Sequence, residues 1–276
     1  ETNANPKSLM KLIKPFLEDL VITVECMFTW YWVSDFCHKN NIQFVLGHAL
    51  YMKAIHGGKA KNDKIDSYKI AKLLNSSMLA KAYAYPEHMR ATRDLMRRRT
   101  FFVRERAELK THIQIMNHQY NLPIISGNLK NTSVQEEVLT RFDDLSARRS
   151  VQADTESLRY LTKQISSLEC FITKQAKIDD YQSYMLLKSI RGIGDVLALT
   201  ILYEIHTIER FPTVQKFASY SRLIKCKAES AGKVYGTSGN KIGNAHLKWA
   251  FSEAAAIYLR GNEKAPNYHA HLVKKH

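Results

Sequence analysis

Three groups of residues have types and spacings that could carry chemistry. The first is Glu229-Ser230-Ala231-Gly232-Lys233, followed by Tyr235-Gly236-Thr237-Ser238-Gly239-Asn240-Lys241-Ile242-Gly243-Asn244 and then a helical run from Ala245 to Leu259. A serine on a basic glycine loop before a helix N-terminus is placed to attack a phosphodiester. It then needs a neighbour that lowers its pKa and one that neutralises the oxyanion, and Lys233 and a bound metal could do both. Turns also favour serine for local hydrogen bonding alone. The second group is Glu25, at the end of a β-branched run, with Asp63 and Asp66, which share one face near the start of a helix. Three carboxylates from a strand end and a helix could converge on Mg²⁺, which takes hard oxygen ligands and keeps waters for a phosphate to displace. The plainer alternative is that Asp63 and Asp66 are solvated first-turn residues favoured by the helix dipole. The third is Arg191-Gly192-Ile193-Gly194, a glycine turn between apolar helical segments, as in a helix-hairpin-helix. Backbone N–H groups of such a turn can approach a phosphate without reading sequence, and an ordinary interhelical turn is the alternative.

The elements that must position these residues follow from periodicity. Lys7 to Leu17 has helical spacing, Val21-Ile22-Thr23-Val24 is a strand, Trp30 to His38 a helix, and Ile42 to Leu46 a second strand closed by Gly47. Short strands with helical crossovers predict an α/β sheet over 1–85, and Asn62 to Leu74 predicts an amphipathic helix beside it. From Pro86 to about Tyr120 the helical pattern is unbroken, with Leu95, Phe102, Leu109 and Met116 recurring at sevens. A Pro- and Gly-containing connection, Leu122 to Ser133, precedes a second helix on which Leu158, Leu161, Ile165, Leu168 and Ile172 form one stripe. Region 86–186 therefore reads as a long antiparallel coiled-coil hairpin, able to dimerise, and 187–276 as a mainly helical third part. On the first long helix Arg90, Arg93, Arg97, Arg98, Arg99, Arg104 and Arg106 interleave with Phe101 and Phe102. Arg97 and Arg98 are candidates for phosphate contacts, against the alternative of a solvated helix face.

The charge balance narrows the function. Lys plus Arg number 41 against 26 Asp plus Glu, a formal net charge of +15, which makes a polyanion the first partner to consider. From Ser221 to His276 ten basic residues face three acids, and seven of the eleven glycines lie in the third part. Cys26, Cys37, Cys170 and Cys226 form no C-x-x-C pair, and we read them as reduced thiols of a cytoplasmic protein. No stretch approaches a membrane span, and the start at Glu1 is not a signal peptide.

The blocks Val24-Glu25 before a Trp-rich segment, Lys61-Asn62-Asp63-Lys64-Ile65-Asp66-Ser67, Ile190-Arg191-Gly192-Ile193-Gly194, and Glu229 to Lys233 with Lys241-Ile242-Gly243-Asn244-Ala245-His246-Leu247-Lys248 stand in an order that resembles one family. It is that of the DEDD-type insertion-sequence transposases related to the Piv DNA invertase, the insertion-sequence family numbered one hundred and ten, which are bridge-RNA-guided recombinases. The resemblance implies a RuvC- or ribonuclease-H-like N-terminal domain whose acids bind Mg²⁺, with Glu25, Asp63 and Asp66 matching the last three of four. It implies a C-terminal transposase domain in which a serine, here Ser230, becomes covalently linked to DNA. The domains of different subunits form a composite site in a dimer or tetramer, and a noncoding guide RNA pairs with the DNA. Arg191, Gly192, Gly194, Lys233 and Lys241 are the matching candidates for nucleic-acid contact, in a nucleoid-associated protein of the bacterial or archaeal cytoplasm.

Two departures set further expectations. The chain begins after the place of the family's first strands, so the first acid is expected upstream of Glu1, and without it this polypeptide is expected to be inactive. The family's serine is often followed by glycine, whereas Ala231 follows Ser230, which makes Ser238 before Gly239 the fallback nucleophile. The competing readings are a metal-dependent nuclease with water as nucleophile, and an inactive fragment that only binds nucleic acid.

Overall fold

A computed structural model describes residues 3–55, 62–224, 227–237, 242–260, 262 and 265–275. They form two compact units, Glu1–Glu87 and His88–His276.

In the first unit, α1 (Pro6–Ile13) is capped by Asn5, whose side chain accepts from the Ser8 amide, and a 3₁₀ segment (Lys14–Asp19) leads into β1 (Val21–Glu25). The crossover helix α2 (Trp30–Lys39) returns the chain to β2 (Gln43–Gly47), and the strands pair in parallel from Val21 opposite Gln43 to Glu25 opposite Gly47. Helices α3 (Ala49–Ile55) and α4 (Asp63–Asn75) follow. Strand alternation sorts the two faces. Ile22, Val24 and Phe44 pack with Val33, Phe36 and Cys37 of α2, while Val45 packs with Ile70, Leu73 and Leu74 of α4. The expected α/β arrangement is thus present, as a two-stranded parallel sheet among the described residues. The segment after α4 runs beside the end of β2, where the amide of Ala82 donates to the carbonyl of Leu46 at 2.7 Å.

The second unit opens with α5 (Glu87–Gln119), α6 (Thr132–Thr140) and α7 (Leu145–Asp179). Arg99 pairs with Glu169 and His112 with Asp154, so rising numbers on α5 meet falling numbers on α7, and the two long helices are antiparallel. Helix α6 lies within the stretch joining them, and its Val138 is buried with Ile113, Val151 and Leu158. Helices α8 (Tyr181–Ser189) and α9 (Asp195–Ile205), a 3₁₀ turn (Ile208–Arg210) and α10 (Val214–Tyr220) come next. They are followed by β3 (Lys227–Ser230), β4 (Lys233–Thr237), α11 (Ala245–Arg260) and α12 (Ala265–Lys275).

Every residue of α9 from Leu197 to Glu204 is buried, as a helix apolar nearly all round must be. Its core takes in Met89 and Met96 of α5, Ile172 and Ala176 of α7, Tyr184 of α8 and Leu247, Ala250 and Ala254 of α11. The regions 86–186 and 187–276 therefore share one core, because the ends of the long helices supply apolar surface that α9 needs.

Burial pushes the Cys37 thiol up to about 11, which leaves it unreactive. No helix among the described residues is long and apolar enough to cross a membrane.

Candidate nucleic-acid interface and serine site

Ser230 ends β3 and pairs directly with Lys233, the first residue of β4. The two residues between them, Ala231 and Gly232, have φ of 51° and 75°, the doubly left-handed two-residue turn whose twist suits an antiparallel hairpin. The serine segment is thus a β-hairpin rather than an irregular loop, and Ser230 sits at its tip, exposed. Directly opposed residues share one face of a ladder, so Ser230 and Lys233 project from the same face of the hairpin. A register shift between Ala228 and Glu229 marks a bulge just before the serine, a device that re-aims a strand's side chains. Ala231 occupies a left-handed position that disfavours a Cβ by roughly 1 kcal/mol. Ser238 and Lys241 lie outside the described residues.

The described segments that precede and follow the hairpin are held to each other. Arg222 Nε donates to the carbonyls of Ile242 (3.1 Å) and Gly243 (3.0 Å), and the Asn244 amide donates to the Tyr220 carbonyl at 2.6 Å. Gly243 has φ of 100°, and a Cβ there would stand 2.7 Å from the Tyr220 oxygen, so the close approach of the two chain segments requires glycine. Asn244 also caps α11 by accepting from the amides of His246 and Leu247, and its Nδ2 donates to Glu204 Oε2 at 2.7 Å.

Glu204 is the only acid of α9's buried stretch and is 2% exposed. Arg93 Nε donates to Oε2 at 3.0 Å, and Arg97 Nε and Nη2 to Oε1 and Oε2 at 2.7 and 3.0 Å. Burial alone would raise its pKa, but the Arg97 hydrogen bonds, the Arg93 and Arg97 charges and the Asn244 bond hold it down at about 2. This carboxylate ties α5, α9 and the start of α11 together. It was not anticipated from the sequence, where the available signal was one acid inside an otherwise apolar helical run. Burial pushes the neighbouring His246 pKa down, with the arginines Arg97, Arg104 and Arg93 adding to the effect.

The arginine stripe divides accordingly. Arg90 is 3% exposed, Arg93 and Arg97 bind Glu204, and Arg99 binds Glu169. Arg98 lies over the rings of Phe101 and Phe102, at 4.9 and 4.8 Å.

Helices α8 and α9 meet at the glycine turn. Gly192 has φ of 93°, and a Cβ would stand 2.7 Å from the Ala254 carbonyl oxygen of α11, so this glycine packs the turn onto that helix. Gly192→Ala combines left-handed strain with a backbone clash. It should cost on the order of 2 kcal/mol or more, which thermal unfolding would read as a fall in Tm of several degrees. Gly194, at the α9 N-cap, has open space around it, and Arg191 is exposed. Asp195 in the first turn binds Lys188 Nζ at 2.6 Å and accepts from Tyr184, and these hydrogen bonds lower its pKa.

In the first unit, alternation puts Thr23 and Glu25 on the face of the sheet that α4 covers, opposite Ile22 and Val24. Asp63 and Asp66 lie in the first turn of α4, with Asn62 accepting from the Ile65 amide as N-cap. Thr23 Oγ1 is buried on that face without a hydrogen-bond partner. Among the described residues, however, no three His, Cys, Asp or Glu side chains come together as a group that could hold a metal ion. Glu25, Asp63 and Asp66 share a side of the sheet without forming a ready-made cage, so as they stand they do not fit a metal site built of protein ligands alone.

Two comparisons with known families match this chain. Residues 184–270 match the sequence model described as the transposase IS116/IS110/IS902 family, and residues 7–121 match a DEDD-type IS110 transposase model, described as transposase. No curated protein matches the chain.

Proposed function

From the premise that both matches support, an IS110/IS116 transposase acting on DNA, we propose that this protein cleaves and exchanges DNA strands through a covalent link to Ser230. The observation that carries this is the hairpin tip: an exposed serine with a lysine paired directly opposite it. In the proposed step the Ser230 oxygen forms a bond to phosphorus while the bond from phosphorus to one sugar oxygen breaks. That oxygen leaves as a hydroxyl, taking up a proton equivalent to the one the serine gives up, and the phosphoserine link retains the bond energy for strand exchange. Lys233 offsets the charge on the phosphate oxygens. Arg191, Gly192, Gly194, Lys241, Arg97 and Arg98 remain candidate contacts to the nucleic-acid backbone. Of these, Arg191 is exposed, while Arg97 shares its guanidinium with Glu204.

The DEDD-type match suggests a divalent metal, and we propose magnesium, admitted at Glu25, Asp63 and Asp66 together with the nucleic acid. Mg²⁺ is commonly held by one or two carboxylates plus substrate phosphates and waters, so an incomplete protein cage is compatible with binding only alongside DNA. Glu25, Asp63 and Asp66 would hold it, and it would supply charge neutralisation to a nucleic-acid phosphate.

We further propose that a noncoding guide RNA chooses the sites and that the protein acts as a dimer or tetramer with composite sites. The test is strand joining between element-end and target DNA, with and without RNA transcribed from the element flanks. The expected result is joined product only when that RNA is present. Equal joining without it would overturn guidance by RNA.

A further inference from the structure

Helix α5 carries opposite charge on its two flanks. Glu105 and Glu108 face a groove with Asp154 and Glu156 of α7, whereas Arg106, Lys110 and Gln114 recur at steps of four on another flank. There Lys110 and Gln114 line a cleft of about 300 Å³ closed by Ile125, Gly127, Asn128 and Leu129 of the α5–α6 connection. Lys130 stands beside it, its amide fixed by Asn128 Oδ1 at 3.0 Å. Neither Lys110 nor Lys130 has an ion-pair partner among the described residues. Burial pushes the Lys110 pKa down, and the charges of Lys130 and Arg106 push it further the same way. The fold therefore holds cations together against their mutual repulsion beside a polar cleft, an arrangement that an anion relieves.

We propose that this cleft binds a phosphate of a nucleic-acid backbone through Lys110 and Lys130, with the Gln114 and Asn128 amides as additional donors. Met96 belongs to the α9 core, and at a rise of 1.5 Å per residue Lys110 lies roughly 20 Å further along α5. The site is thus a second grip on the polyanion, away from the serine hairpin and independent of Arg97, which the buried carboxylate engages. The inference rests on the reading of this chain as an enzyme acting on nucleic acid.

The test compares the wild-type chain with the double variant Lys110→Gln/Lys130→Gln. Affinity is measured against salt for a duplex DNA oligonucleotide and for a single-stranded RNA. Losing this phosphate contact should lower the slope of log K against log salt by about 0.9 on the duplex or about 0.7 on the single strand. The probe on which the slope falls identifies the source of the phosphate. Lys110→Arg/Lys130→Arg should restore the wild-type slope. The Tm of the unliganded glutamine variant should be unchanged or higher, because a repulsion has been removed. A steep wild-type slope that the glutamine pair leaves unaltered on both probes would overturn this site alone. A flat salt response of the wild type would overturn nucleic-acid binding by the whole chain, and this site with it.

Discussion

Replacing Ser230 by alanine should abolish strand exchange, lowering its rate by at least about a thousandfold, while leaving Tm and DNA affinity within error of the wild type. The magnitude follows from removing the atom that forms the covalent bond, since losses of an essential nucleophile are of that order or greater. The separation from stability follows from the structure. Ser230 is exposed at the tip of a two-residue turn, and its backbone pairing with Lys233 does not depend on the hydroxyl. Surface substitutions of this kind stay within roughly 0.5 kcal/mol. Ser230→Ala also separates the proposed serine chemistry from metal-dependent hydrolysis, because a nuclease using water would keep its cleavage rate.

The largest effect on stability is expected at Glu204. Glu204→Ala strands Arg93, Arg97 and the Asn244 amide around a vacated interior position, and breaking a buried pair from one side costs about 3 to 5 kcal/mol. For a unit of this size the corresponding fall in Tm is on the order of 10 °C. Glu204→Gln keeps the shape and part of the hydrogen bonding, so its cost should be smaller. The pH dependence has a definite sign. Folding lowers the Glu204 pKa from 4.5 to about 2, so its contribution, on the order of 3 kcal/mol, is present above pH 4.5 and is lost as pH falls towards 2. Acid unfolding should therefore shift less with pH over that interval in Glu204→Gln than in the wild type. Equal pH dependence would mean that Glu204 is not the ionised centre of the network. Because Asn244 links this carboxylate to Tyr220, in the segment before the hairpin, Glu204→Gln should also slow strand exchange while Ser230 is intact, which makes Glu204 a positioning residue.

Much of the frame was legible from local signals. Asn62 before Asp63, with an apolar stripe behind it, gave the start of α4, and an unbroken helical pattern between Pro86 and Tyr120 gave α5 almost to its ends. The stripe from Leu158 to Ile172 marked the buried face of α7, but not its start at Leu145. Helix α6 escaped notice because the Pro, Gly and Asn residues before it read as continuous loop, and its burial depends on α5 and α7, not on its own pattern. The serine hairpin read as loop for a related reason. An Ala-Gly turn lacks the Asn-Gly or Asp-Gly signature, and its strands are only four and five residues long. The Glu204 network was hidden because it joins residues more than a hundred positions apart, and no sequence period registers such a contact. Of the site, the residue types at the hairpin and at the start of α4 were readable, whereas the contacts between the segments that precede and follow the hairpin had to come from tertiary structure.

The central claim is most directly tested by trapping the reaction of the full-length protein with element DNA, guide RNA and Mg²⁺, denaturing it, and mapping any nucleotide left on the digested chain. The account predicts a DNA strand covalently attached through phosphorus to the oxygen of Ser230. Cut DNA with no nucleotide attached to the protein, or attachment at another residue such as Ser238, would contradict it.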